Sequence, residues 1–120
     1  MRLLICGDRD WTDQQAIEEY LLETRPDVVI EGGARGADRM AGIAAAKLGI
    51  PVEVYAADWH GQGRGAGMIR NQRMLNEGKP THVTAFHDDI AHSKGTADMV
   101  RRAIKAGITV LLWSHAGLFR

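Results

Sequence analysis

Short apolar runs alternate with helical patterns along this sequence, and this alternation restricts the possible folds more than any other feature. The apolar runs cover residues 3–6, 28–30, 51–57, 81–86 and 108–113. Their near-continuous apolar character is typical of strands that are buried on both faces. Successive strand–helix–strand units predict a parallel sheet with right-handed crossovers and helices on both faces. We therefore predict an α/β fold: one domain spanning residues 1–120, with a doubly wound parallel sheet of five strands.

Helical patterns fill the segments between these runs. Helices are predicted over residues 12–25, 37–48, 66–77 and 96–106. Pro26 closes the first helix, and Gly49, Gly78 and Gly107 are suited to end the other three. The third helix has the weakest apolar stripe, which favours a functional role for its polar residues.

Composition limits the classes of function. The 120 residues include 15 basic and 15 acidic side chains, and this zero net charge argues against bulk attraction to nucleic acid or to an anionic membrane. No apolar run approaches the ~20 residues of a membrane span. The single cysteine excludes an internal disulfide and indicates a reducing, cytoplasmic setting.

Four loops that follow strands and precede helices carry the polar and glycine residues of interest. In a doubly wound sheet these loops meet at the carboxyl edge, where ligands bind. The first two loops contribute candidate ligand or phosphate contacts at Gly7, Asp8, Arg9, Trp11, Gly32, Gly33, Arg35, Gly36 and Asp38. The alternatives are structural: Asp8 pairs with Arg9, Trp11 packs on the first helix, the glycines serve turn geometry, and Asp38 caps the second helix.

The other two loops contribute a second set of candidates. Gly67, Arg70 and Asn71 place a cation and an amide on the first turns of a helix, and Ser93, Lys94, Gly95 and Thr96 precede or open the next one. Backbone N–H groups at such a helix start suit an anion such as phosphate, with Thr96 donating its hydroxyl. The alternative is an ordinary helix cap made by Ser93 or Thr96, with Asp98 placed favourably for the helix dipole.

Two further groups of residues are interpreted as structural. His87, Asp88, Asp89 and His92 are metal-ligand types, but they share one loop without the spacing of a metal site. Cys6 lies within a predicted central strand and is interpreted as a small buried residue rather than a nucleophile. We therefore predict neither a metal nor a cofactor.

The loops together resemble a known superfamily. The relevant residues are 7–11 (GDRDW), 32–38 (GGARGAD), 57–59 (ADW), 66–74 (AGMIRNQRM), and 85–86 through 95–100 (AF and GTADMV). In combination they resemble the SLOG superfamily, which groups the DNA-processing Smf/DprA proteins with the lonely-guy phosphoribohydrolases, and within it the YspA-like, cpYpsA-related branch. The resemblance implies a Rossmann-like fold with strand order 3-2-1-4-5 and a site for a nucleotide, an ADP-ribose-like molecule or a related ligand. It also implies self-association into a homo-oligomer.

The resemblance bears less directly on catalysis. By analogy with the lonely-guy enzymes, Arg70 and Asp98 would be the catalytic residues of a hydrolase that cleaves the N-glycosidic bond of a nucleoside monophosphate. The chain departs from that motif, because no Pro-Gly-Gly precedes Gly95-Thr96 and an aspartate replaces the glutamate. Binding of a small nucleotide-derived ligand, NAD included, as a sensor or processing domain is therefore favoured over catalysis. Single-stranded DNA binding through Trp59, Arg64, Arg70 and Arg73 is the third hypothesis.

Overall fold

A computed structural model describes residues 1–119 as one six-stranded sheet with helices on both faces. The strands are β1 (Arg2–Gly7), β2 (Val28–Glu31), β3 (Val52–Val54), β4 (His82–Phe86), β5 (Thr109–Ser114) and β6 (Gly117–Phe119). The helices are α1 (Gln14–Thr24), α2 (Ala37–Lys47), α3 (Trp59–Gln62), α4 (Ala66–Arg73) and α5 (Lys94–Lys105). The strand order is β3-β2-β1-β4-β5-β6, so the order predicted for the five parallel strands is confirmed.

The two faces of the sheet bury different side chains of the same strands. On β1, Leu3 and Ile5 pack with α1 and α2, while Leu4 and Cys6 pack with α5 and with the turn that follows α4. This division follows from the two-residue period of a strand, which directs successive side chains to opposite faces. β1 pairs in parallel with both β2 and β4 and is therefore the centre of the sheet.

Small residues bring α2 close to the sheet. Ala37, Ala41, Ala44 and Ala45 recur at helical spacing, and all four are fully buried. With only a methyl group on each, the helix backbone approaches the strands, and the turn before the helix is placed directly over the end of β1. The carbonyl of Asp8 accepts the amide hydrogen of Ala37 at 3.0 Å, which joins the two loops.

The prediction of five strands is wrong by one strand, and the sheet is mixed rather than wholly parallel. After β5 the chain turns through residues 114–116 and returns as β6, antiparallel to β5. The Ser114 hydroxyl donates to the Gly117 carbonyl and accepts the Ala116 amide, each at 3.2 Å. A three-residue strand carries too little hydrophobic pattern to be separated from a tail by sequence alone.

Other boundaries also differ from the predicted ones. β3 is only three residues long, because the chain after Val54 leaves the sheet towards α3. α5 begins at Lys94 rather than at residue 96, and Ser93 is its N-cap. The predicted helix over residues 66–77 consists of α4 followed by a π-helical turn at Met74–Gly78. Within residues 1–119, none of the helices combines the length and the apolar character that crossing a membrane requires.

Candidate functional site

A two-lobed cleft lies at the carboxyl edge of the parallel strands. The lobes have volumes of about 490 Å³ and about 450 Å³, which is within the usual range of small-molecule sites. Both are lined by Arg9, Ala34, Arg35, Trp59 and Arg70, so they form one continuous surface. Gly95 lines the first lobe and Gly33 the second. The loops after β2 and β4 therefore meet across one cleft.

Most of the residues singled out from the sequence lie along this cleft. The first lobe is lined by Gly7, Asp8, Arg9, Arg35, Asp38, Gly67, Arg70, Asn71, Ser93, Lys94, Gly95 and Thr96, and the second adds Gly32 and Gly33. Three predicted residues, Trp11, Gly36 and Asp98, line neither lobe. The parallel sheet explains the gathering, because it brings the carboxyl ends of all its strands to one edge.

The N-terminus of α5 offers hydrogen-bond donors to the first lobe. The Ser93 side chain accepts the amide hydrogen of Thr96 at 3.2 Å and the Ser93 carbonyl accepts that of Ala97 at 3.3 Å. Among residues 1–119, the amides of Lys94 and Gly95 have no protein acceptor. These two N–H groups, together with the helix dipole, create a site that favours an anion.

Thr96 does not donate to this site as predicted. Its hydroxyl donates to the carbonyl of Gly7 at 3.0 Å, and the side chain is buried. The Thr96 hydrogen bond therefore fixes the start of α5 to the end of β1. Its function in this arrangement is to position the α5 N-terminus over the sheet.

The first lobe has an excess of positive charge although the whole chain has none. Five cationic side chains line it (Arg9, Arg35, Arg64, Arg70 and Lys94), against the three carboxylates of Asp8, Asp10 and Asp38. Of these, Arg35 pairs with Asp10 at 3.1 Å on the exposed rim. The Arg9 guanidinium lies over the Trp59 ring, 5.8 Å from its centroid. The predicted alternative of an Asp8–Arg9 pair is therefore not the arrangement observed.

Two carboxylates of the protein accept hydrogen bonds from backbone amides of the glycine-rich turn. The Gly33 amide donates to Glu31, and the Ala34 amide donates to Asp38 at 3.3 Å. From α4, the Arg70 guanidinium donates to the Gly32 carbonyl. The prediction that this turn presents its amides to an anion is thus wrong for Gly33 and Ala34, because Glu31 and Asp38 satisfy them internally.

Glycine at two positions of this turn has a steric cause. A Cβ on Gly32 would lie 2.5 Å from Nη1 of Arg70 and 2.8 Å from Oδ2 of Asp38. Gly36 has a φ of +79°, and a Cβ there would lie 2.3 Å from the carbonyl oxygen of Asp8. The prediction that Gly36 contacts ligand is therefore replaced by a packing role, since its Cα faces the first loop.

Two buried carboxyl groups beside this turn have raised pKa values. Burial raises the pKa of Glu31 to about 7, and the charge of Asp38 adds to this effect, whereas the Gly33 amide opposes it. Burial also raises the pKa of Asp38 to about 6, although the Arg70 guanidinium acts in the opposite direction. The sequence interpretation missed Glu31. The available signal was a carboxyl group at the end of an apolar strand, because such a position is expected to be buried.

A hydrogen-bonded network behind the cleft holds Asp98. Its carboxylate accepts from Nδ2 of Asn71 at 3.0 Å and from Nε of Arg102 at 2.8 Å. In turn, Oδ1 of Asn71 accepts from Nε of Arg70 at 3.0 Å. Asp98 therefore orients Asn71 and, through it, Arg70, and it is separated from the cleft in which a reacting bond would lie.

Trp11 is part of the core. It is 4% exposed and makes edge-to-face contacts with Phe86 and Trp113, each at 5.7 Å between centroids. The imidazole of His115 stacks on it at 4.9 Å. The prediction that Trp11 contacts the ligand is therefore wrong, and the structural alternative is the observed one, with the ring packed against β4 and β5 as well.

The polar loop after β4 is held by local contacts. The His92 imidazole pairs with Asp89 at 2.7 Å, and the Asp89 amide donates to His87 at 2.9 Å. Across the part of the chain that the structure describes, no group of three or more histidine, cysteine, aspartate or glutamate side chains is arranged to hold a metal ion. His87 and His92 line the first lobe, which the sequence interpretation did not anticipate.

The floor of the first lobe is apolar. It is formed by Cys6, Met74 and Met99, which come from β1, the π-helical turn and α5. Burial raises the pKa of the Cys6 thiol far above its usual range. This agrees with the interpretation of Cys6 as a small buried residue rather than a nucleophile.

The DNA-binding groove predicted from sequence is only partly assembled. Trp59, Arg64 and Arg70 line the first lobe, but Arg73 does not. The Arg73 guanidinium pairs with Glu77 and lies over the Tyr55 ring at 5.3 Å. Arg70 is itself buried, so among the three residues of the set that line the lobe, Arg64 and Trp59 are the exposed ones.

The fold and the position of the cleft define a Rossmann-like α/β domain with an open cleft at the carboxyl edge of its sheet. The structure is similar to the X-ray structure of DNA processing protein A (DprA) from Streptococcus pneumoniae, with a TM-score of 0.74 and 18% sequence identity. The match covers 92% of this chain and 49% of that one, so the chain spans about half the length of DprA. At this level of identity, the similarity concerns the fold alone.

Sequence comparison identifies the family. The model of YAcAr, the YspA, cpYpsA-related SLOG family, matches residues 1–61, which is half of the chain. The chain is also 37% identical over 120 residues to the gene 61 protein of Mycobacterium phage D29, with 92% of this chain and 94% of that protein covered. The chain belongs to the YspA, cpYpsA-related SLOG family.

Proposed function

We propose that residues 1–120 act as one SLOG-type domain that binds a nucleotide or a nucleotide-derived ligand of the ADP-ribose, NAD or nucleoside monophosphate class. In this proposal the domain is a ligand sensor or a processing module. The observation that carries the proposal is the pair of acceptor-free amides at Lys94 and Gly95 in a cleft lined by an excess of cationic side chains. The ligand phosphate would bind there, with Lys94 and Arg9 as its cationic partners.

Gly95 permits a test that does not disturb the fold. A Cβ at this position has no atom within 4 Å, and the residue lies in the first turn of α5. Gly95→Leu therefore introduces bulk beside the acceptor-free amides from a position where the Cβ itself meets no protein atom. It also replaces a poor helix former with a good one, so the stability of α5 is retained.

Isothermal titration calorimetry with ADP-ribose, NAD and AMP tests the proposal. We expect Gly95→Leu to abolish binding and Lys94→Ala to weaken it about tenfold, since a charge-assisted phosphate contact is stronger than a neutral hydrogen bond. Lys105→Leu and Lys105→Ala, in the exposed last turn of the same helix, are the matched controls and should bind like the wild type. Absence of binding by all three compounds, or unchanged binding by Gly95→Leu, contradicts the proposal.

The two competing hypotheses have less support at the site. Cleavage of a nucleoside monophosphate would require Asp98 in the cleft, but its carboxylate is bound to Asn71 and Arg102. Single-stranded DNA binding would require a basic groove, and Arg73 does not line the cleft but pairs with Glu77. Release of free base from AMP and salt-dependent binding of an oligodeoxynucleotide are the assays that would favour these alternatives. Self-association stays a prediction, to be measured by light scattering.

A further inference from the structure

Trp59 lies where the two lobes of the cleft meet. Its side chain lines both lobes and is 50% exposed, whereas Trp11 is buried and Trp113 packs against the core. Burial of a tryptophan ring removes a large apolar area from water, so a half-exposed ring inside a cleft leaves much of that stabilisation unused. The packing of the core therefore does not account for a tryptophan at this position.

Local contacts hold the Trp59 ring in place. Asp58 caps the short helix α3 and accepts the Gly61 amide hydrogen at 2.9 Å. A Cβ on Gly67 would lie 3.3 Å from Cη2 of Trp59, so glycine at this position lets the ring edge approach the first turn of α4. The guanidinium of Arg9 is near the ring face, at 5.8 Å from the centroid. The ring is therefore oriented before any ligand binds.

The surroundings of the ring favour a planar, anionic ligand over an apolar partner. Arg9, Arg35, Arg64 and Arg70 line the same lobe as Trp59, and a purely apolar partner would have to remove water from these cations. A nucleotide carries an aromatic base for the ring and a phosphate for the cations. In the proposed function its phosphate binds separately, at the α5 N-terminus in that lobe.

We infer that Trp59 is the stacking platform for the base of the bound nucleotide, so that the site selects nucleotides over sugar phosphates that lack a base. This inference rests on the proposed function and assigns a specificity-determining role to Trp59. Stacking of a base on an aromatic side chain changes affinity by about tenfold to a hundredfold. The phosphate contacts at Lys94 and Gly95 are independent of it.

The test compares AMP with ribose 5-phosphate, which share the sugar phosphate and differ in the base. We expect the wild type to bind AMP at least about tenfold more tightly. Trp59→Ala should remove most of this preference by weakening AMP alone, and Trp59→Phe should keep part of it. Ile69→Ala removes an exposed apolar side chain outside both lobes and is the matched control.

Fluorescence gives a second readout on the same samples. AMP should quench the tryptophan emission of the wild type, and this change should be absent from Trp59→Phe, which retains the other two tryptophans. Equal affinity of the wild type for AMP and ribose 5-phosphate, or equal weakening of both by Trp59→Ala, overturns this inference and leaves the proposed function intact. If neither compound binds, this inference fails, and the proposed function fails with it when ADP-ribose and NAD do not bind either.

Discussion

Glu31 should make the protein less stable as the pH rises. Its side chain ends β2, is 4% exposed, and accepts the Gly33 amide hydrogen. The Glu31 Oε2 atom lies so close to α2 that a Cβ on Gly42 would be 2.7 Å from it. Burial therefore opposes ionisation and raises the pKa of this carboxyl from 4.5 to about 7.

The magnitude follows from proton linkage. Between these two pKa values the folded protein keeps a proton that the unfolded chain has lost, so the free energy of unfolding falls as the pH rises through this window. Each pKa unit corresponds to about 1.4 kcal/mol, which gives a loss of about 3 kcal/mol between pH 4.5 and pH 7. Asp38, whose pKa is raised to about 6, acts in the same direction.

Urea unfolding at pH 5 and pH 8 measures this loss. In Glu31→Gln the amide cannot ionise, and its oxygen still accepts the Gly33 amide hydrogen. The stability difference between the two pH values should therefore shrink by about 2 to 3 kcal/mol, leaving the Asp38 contribution. Glu23→Gln, at an exposed position of α1, is the control and should retain the full difference. Full pH dependence in Glu31→Gln would refute the reasoning.

Two further predictions concern the edge of the sheet and the turns. Asp13 and Asp88 hydrogen-bond to the two ring nitrogens of His115 and raise the pKa of the imidazole above 6.5. The protonated His115 therefore stabilises the fold fully below pH 6.5, and this stabilisation is lost as the pH rises through the folded-state pKa. His115→Gln should therefore lower the melting temperature more at pH 6 than at pH 9, and an equal loss at both would contradict the ion pairs. Gly49 has a φ of +73°, and a Cβ added there has no atom within 4 Å. Gly49→Ala should therefore lower the free energy of unfolding, measured with urea, by about 1 kcal/mol through backbone strain alone. Gly36→Ala adds a clash with backbone atoms and should cost several times more; equal costs would show that the turn relaxes freely.

The parallel strands and their order could be predicted because a doubly wound sheet requires a regular pattern of apolar residues. Continuous apolar runs separated by helical stripes indicated five parallel strands, and these exist in the predicted order. The sixth strand was missed because Gly117–Phe119 is only three residues long and carries little hydrophobic pattern of its own. In the turn before that strand, His115 hydrogen-bonds to Asp13, which lies 102 residues earlier, and the local sequence gives no sign of this contact.

At the candidate site, the residue types in the sequence indicated which segments line the cleft, but they did not indicate what each side chain contacts there. Lys94 and Gly95 were expected at an anion site and do line the cleft. Thr96 and Asp98 belong to the same segment, but neither side chain makes the contact that was expected of it. The Thr96 hydroxyl donates to the carbonyl of Gly7 at the end of β1, and the Asp98 carboxylate accepts from Asn71 of α4 and from Arg102. The direction in which a side chain points depends on partners that are distant in sequence. Trp11 was misassigned for the same reason, since Phe86 and Trp113 bury it.

The position of Cys6 gives the protein an internal reporter of whether the cleft is occupied. It is the chain's one cysteine, it lies on the floor of the first lobe, and it is 6% exposed. Burial keeps its thiol neutral and its reaction with thiol reagents slow. A ligand in the lobe would cover this residue and slow the labelling of the unmodified protein further, so occupancy can be followed without an engineered label.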